Sequence, residues 1–218
     1  VDPAPPPPHR PLPLILQELR DLEALEGDLD RDAVTYVNDE LLAAFAAAPE
    51  GAALADLRLS QIVLDFAARE HGATILSLQP DALRGVVFDV IPRKVMVPAD
   101  AADGLLAAVR ALYAYLGREV ALPQADACLA ALPEAALPEL TAALGDPRKF
   151  SPGKLMYMAG LEAGYDLGTP EGMDAWMREA KRRGLTPAGP APASRTPRAP
   201  DPRKAARKAA RKARKQGR

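Results

Sequence analysis

The residues best suited to chemistry lie at the C-terminus, where basic side chains recur in doublets. These are Arg203-Lys204, Arg207-Lys208 and Arg211-Lys212, followed by Arg214-Lys215 and Arg218, with alanines between them. A period of four places two adjacent basic rows on one side of a helix and alanines on the other. Like charges at i and i+4 repel, so the segment is expected to be largely disordered in water. On a polyanion the repulsion is screened, and helix is expected to form on binding. Phosphate backbones match best, because each neutralised phosphate releases condensed counterions. No aromatic residue interrupts the run, so base stacking is absent and binding is expected to be sequence-blind. A membrane surface suits it less, since alanines offer little apolar area to insert. The bland reading is a solubilising tail, or one that folds back onto its own acidic body.

The overall charge hides this arrangement, because 28 basic and 29 acidic side chains look neutral together. Residues 181–218 hold 14 basic side chains against a single acid, Asp201, for a net of +13. Residues 1–180 hold 14 basic and 28 acidic side chains, a net of −14. Such opposition within one chain points to a polyanion-seeking tail on an acidic body.

Other candidate chemistries are weaker. Asp28, Asp30, Asp32 and Asp39 echo the offsets of a calcium loop. Ala33 stands where such a loop needs glycine, and Asp39 is shorter than the usual bidentate glutamate. Acidic residues at a helix N-terminus explain them better. His9 and His71 are the only histidines and Cys128 the only cysteine, so a zinc site has nothing to build on. Cys128 reads as a small buried hydrophobe and His71 as a helix-end residue. Asp65, Glu70, Asp89 and Asp126 lack the Glu-x-x-His pair of carboxylate metal bundles and read as solvated helix acids. Met156, Met158, Met173 and Met177 with Trp176 suit a groove for a partner helix, though core packing is the better reading. No phosphate-binding loop, dinucleotide fingerprint or nucleophile elbow occurs. No catalytic residue, metal or cofactor is assigned.

The elements that position these residues read as helices. Residues 1–11, with Pro3, Pro5 to Pro8 and Pro11, are expected to form an extended, disordered lead. Leu12 to Leu25 reads as the first helix, with Leu14, Ile15, Leu19, Leu22 and Leu25 near one face, stopped by Gly27. Asp28 to Asp32 open a second, ending before Pro49. A third starts near Asp56 and ends at Gly72, its C′ residue. Ala73 to Leu78 is ambiguous and compatible with one strand. Leu83, Val86, Val87, Val90 and Ile91 mark an amphipathic helix that Pro92 is expected to end, leaving Arg93 to Pro98 extended. Asp100 is expected to cap the next helix, which carries Leu105, Leu106, Val109, Leu112, Tyr113 and Leu116 and stops at Gly117. Gln124 to Leu132 and Pro133 to Leu144 follow. Ser151-Pro152 and Thr169-Pro170 each join an N-cap hydroxyl to a first-turn proline and open the last two.

The expected fold is therefore all-α, one globular multi-helix domain of eight or nine helices over residues 12–185. Abundant Ala and Leu with few aromatics favour helix over sheet. Residues 186–202 hold six prolines and read as a semi-stiff linker before the basic tail, 203–218. No uninterrupted apolar run approaches the roughly 18 residues that cross a bilayer. With a lone cysteine and no signal-peptide pattern, a soluble cytoplasmic protein is expected.

Two segments carry a resemblance. One is Val90-Ile91-Pro92-Arg93-Lys94-Val95. The other is Phe150-Ser151-Pro152-Gly153-Lys154-Leu155-Met156-Tyr157-Met158-Ala159-Gly160-Leu161, with Gly164-Tyr165-Asp166 and Trp176-Met177 after it. Together they resemble a family of uncharacterised bacterial helical proteins, some of which carry a SEC-C-type zinc motif. The resemblance implies a bacterial cytoplasmic helical protein over roughly residues 30–180 and supplies no activity. The cysteines and histidine of that zinc motif are missing here, so zinc is not carried over.

The sequence thus favours a non-enzymatic helical protein whose tail binds RNA, ribosomal RNA or DNA without sequence preference. An interaction module acting through the helical body is the alternative. An enzyme would need acids such as Asp65 and Asp89 to converge in a pocket.

Overall fold

Helix α7 (Ala102–Val120) buries nine of its side chains, including Leu105, Leu106, Val109, Leu112, Tyr113 and Leu116. All six of those residues follow the expected apolar stripe, and each is at most 3% exposed. Removing such a leucine from water contributes about 1.5–3 kcal/mol, so this helix anchors the body. The computed structural model describes residues 10–25 and 29–185. The polyproline lead up to His9, the Gly27-Asp28 stop, the linker 186–202 and the basic tail 203–218 lie outside the described residues.

Around α7 the chain lays down α1 (Leu12–Ala24), α2 (Arg31–Ala46), α3 (Pro49–Ala52), α4 (Arg58–Phe66), α5 (Pro80–Gly85), α6 (Ile91–Lys94), α8 (Ala125–Ala131) and α9 (Leu137–Gly145). Helices α10 (Pro152–Glu162) and α11 (Pro170–Arg182) complete the series. Among the described residues eight α-helices have seven residues or more, and no strand forms: the fold is all-α. The chain groups into two compact units, Val1–Ala159 and Gly160–Arg218, with the division inside α10.

In the first unit, α7 packs against α3, α4, α8 and α9. Phe45 of α2 leans on Tyr115 of α7, ring centroids 5.4 Å apart. Buried Ser60 of α4 donates to the Ala108 carbonyl at 3.4 Å. Asp30 caps α2, its carboxylate accepting from the amides of Asp32 and Ala33. That is the helix-start role, and Ala33 already lies inside the helix.

Several local expectations need correction. Pro92 does not end its helix. A π turn, Val86–Val90, joins α5 to α6, with the Ile91 amide reaching back five residues to the Val86 carbonyl. The wider turn relieves the clash a proline ring makes with the preceding turn, and the helix runs on to Lys94. Ala73 to Leu78 is a turn rather than a strand. Side chains take its backbone groups: Glu23 accepts from the Thr74 amide at 2.9 Å, and Gln124 donates to the Leu76 carbonyl at 2.7 Å. Buried with those partners, the segment has no ladder to join. Asp100 does not cap α7; it sits in a 3-10 turn, Ala99–Ala101, whose Ala101 amide bonds to Pro98 instead. Gly117 does not stop α7 either. A Cβ there would meet the Ala125 side chain at 3.2 Å, so its role is close approach of α8. The helix ends at Ala121, whose φ of 49° lets the Leu122 amide return to the Leu116 carbonyl. Gly72 does close its helix as expected, with φ 59°, after a π turn over Ala67–His71. On α1 the buried residues are Ile15, Leu16 and Leu19, whereas Leu14 and Leu25 face solvent.

Residues 125–145 also differ from expectation. By length and composition they are apolar enough to cross a bilayer, which a search for an uninterrupted run misses because Asp126, Glu134 and Glu139 punctuate them. The stretch folds as α8, a 3-10 turn at Glu134–Ala136, and α9, with Cys128, Leu132, Leu140 and Leu144 in the core.

Ion pairs secure the periphery. Arg118 of α7 holds Glu50 of α3 through two bonds, 2.7 and 2.9 Å, and also pairs with Glu119. The Arg118 guanidinium holds the Glu50 carboxyl down to about 2 from 4.5. Between those values the unfolded chain binds the proton that the folded chain refuses. The pair's stabilisation is therefore complete above about pH 4.5 and is lost as pH falls towards 2. Thermal melts of the protein and its Arg118→Ala variant should differ at pH 6 and converge by pH 2. A constant gap across that window would contradict the assignment.

Candidate nucleic-acid interface

Most cations of the first unit are engaged at helix ends or with carboxylates. Arg110 of α7 donates to the Leu129 and Leu132 carbonyls, at 3.2 and 2.6 Å, where α8 runs out. Arg84 of α5 donates to Ala131 at 3.1 Å and to Glu139 at 2.6 Å, with its guanidinium over the Phe88 ring. Arg10 bridges Glu18 and Glu40, Lys94 holds Glu70, and Arg58 and Arg148 each fold onto a neighbouring aspartate. Exposed pairs of this kind contribute little stability, but each offsets a charge that would otherwise face solvent alone.

The two segments that carry the resemblance meet in the first unit. Ser151 donates its amide to the Arg93 carbonyl at 2.9 Å, and Lys154 donates its Nζ to the Pro92 carbonyl at 2.8 Å. The α6 end thereby finds partners for its last carbonyls, and an ammonium lies where the helix dipole is negative. Lys154 is only 5% exposed, and its Nζ sits 3.9 Å from the Phe150 ring centroid. Burial pushes its pKa down. Ser151 also caps α10, accepting from the Lys154 amide at 3.1 Å. What these motifs do here is to join α6 to the start of α10.

The second unit holds a different kind of surface. Thr169 caps α11, accepting from the Gly172 amide at 3.1 Å, with Pro170 in the first turn as expected. Trp176 and Ala180 form the buried side of α11. Gly160 lets the indole approach, since a Cβ there would meet it at 2.9 Å. Tyr165 leans on Trp176, ring centroids 5.4 Å apart and inclined by 48°. Beside this pair an open concavity of about 750 Å³ is lined by Tyr165, Ala175, Arg178, Lys181 and Arg182. Arg182 and Arg183 pair with Glu179. Arg178 and Lys181 make no ion pair among the described residues.

The nine tail residues, Arg203, Lys204, Arg207, Lys208, Arg211, Lys212, Arg214, Lys215 and Arg218, lie outside the described residues. Of the remaining candidates, Asp65 accepts a bond from Gln61, Glu70 accepts one from Lys94 and Asp89 pairs with Arg93. Among the described residues no group of three His, Cys, Asp or Glu side chains is arranged to hold a metal ion. Cys128 is fully buried, and burial raises its thiol pKa. His71 is exposed at a helix end. Met156, Met158 and Met173 are partly buried, and Met177 is 46% exposed. Sequence reasoning missed Arg178, Lys181 and Arg182, although their i, i+3, i+4 spacing places them on one face of α11. Comparison with family models, with curated proteins and with solved structures finds no match.

Replacing Lys154 by Met should lower stability by about 1–3 kcal/mol, because the Pro92 carbonyl loses a charged donor. Urea denaturation measures this. An unchanged midpoint would mean that burying the ammonium costs as much as its bond returns.

Proposed function

We propose that this is a non-enzymatic helical protein whose C-terminal basic residues bind the phosphate backbone of RNA or DNA without reading sequence. The observation that carries the reading is the charge division: a net +13 in residues 181–218 against −14 in residues 1–180. The fold gives support, because many of the body's own cations are tied to carbonyls and carboxylates. An acidic body repels nucleic acid, so affinity has to come from residues beyond it. The lone, buried Cys128 is consistent with a cytoplasmic location. The second reading, an adaptor acting through the helices, is favoured by Leu161, Met177 and Leu185, each more than two-fifths exposed in the second unit.

A salt titration separates the two. Binding of the intact chain to a labelled RNA through roughly six to nine cations should give a slope of log K against log salt of about −5 to −8. Fluorescence anisotropy between low and physiological ionic strength measures it. A salt-insensitive affinity would contradict the reading.

A further inference from the structure

The concavity on the second unit unites features the tail lacks. It is lined by an aromatic ring, Tyr165, by the small Ala175 and by the cations Arg178, Lys181 and Arg182. Basic residues in the last turn of a helix are favoured by its dipole, which accounts for Lys181 and Arg182. That account does not extend to Arg178, nor to a ring set beside the cations. Charge complementarity excludes the chain's own basic tail as the occupant and selects an anion. The aromatic lining selects one that also carries a flat ring. A base with its phosphates satisfies both, and the concavity, about 750 Å³, is open to solvent.

We infer that this concavity is a subsite for single-stranded nucleic acid, in which Tyr165 stacks a base while Arg178 and Lys181 hold the flanking phosphates. The inference rests on the nucleic-acid reading above and adds to it a preference for unpaired strands. Bases locked in a duplex cannot reach Tyr165, whereas every unpaired base offers a face to it. The tail then supplies affinity for any polyphosphate, and the concavity selects single strands. All bases stack, so sequence indifference is retained.

The test uses the full chain with a labelled oligouridylate and a duplex of equal phosphate number. Tyr165→Leu should weaken oligouridylate binding roughly 5- to 150-fold and leave duplex binding unchanged, while Tyr165→Phe retains both. Arg178→Ala with Lys181→Ala should reduce the oligouridylate salt slope by about 1.4. Ala175→Glu, which adds a negative charge to the lining, should weaken oligouridylate binding even if Tyr165→Leu fails to fold. The subsite is overturned if every one of these variants binds oligouridylate like the parent while removal of residues 203–218 abolishes binding; the tail reading then stands alone. Equal losses on oligouridylate and duplex with Tyr165→Leu, without a loss with Ala175→Glu, also overturn it. Competition by a polyglutamate peptide that these variants abolish would assign the concavity to an acidic protein segment instead. Failure of the intact chain to bind either oligonucleotide removes both proposals together.

Discussion

A helical body made of short helices has many ends, and each end presents carbonyls that no intrahelical amide can reach. Here cationic side chains meet that demand at the ends of α6 and α8. Lys154 serves the end of α6, and Arg84 and Arg110 converge on the end of α8. These donors come from elements far away in sequence, so capping an end also ties two elements together. The same bonds hold positive charge against the backbone rather than out in solvent. Carboxylates, with twice as many representatives in residues 1–180, are left to dominate the exterior.

Charge division and fold are therefore linked. A body that uses its arginines and lysines on carbonyls has few left for phosphates, and a strongly acidic surface keeps polyanions at a distance. Cations for such a partner have to lie elsewhere in the chain, and residues 181–218 contain 14 of them. In the second unit Arg178 and Lys181, the latter the first cation of that segment, stand beside Tyr165 without ion pairs among the described residues. On the proposed reading, stacking and phosphate neutralisation act in sequence neighbours, though they rest on different physics: one on ring area, the other on counterion release.

Long apolar stripes were legible from spacing alone. The six stripe residues of α7 and the five from Leu83 to Ile91 are all buried. The hydroxyl-proline starts at Ser151 and Thr169 were legible for the same reason, since one local bond defines them. Features that depend on a distant partner were hidden. Pro92 looks like a terminator until the π turn before it is seen, and Gly117 looks like a stop until α8 lies against it. The turn at Ala73–Leu78 depends on Glu23 and Gln124, about fifty residues away on either side. Lys154 shows most clearly what single-sequence reasoning misses: nothing in its neighbours says that its ammonium will reach the carbonyl of Pro92. In the candidate site the basic face of α11 could have been read from its spacing, but the ring of Tyr165 beside it could not.

We place most of the grip on phosphates in residues 203–218 and leave to the helical body only the preference for unpaired strands. The most direct measurement compares elution of the intact chain with that of a chain lacking residues 203–218 from immobilised RNA at low ionic strength. The intact chain should be retained and released by salt, while the shortened one elutes far earlier. Co-elution of the two would contradict that placement.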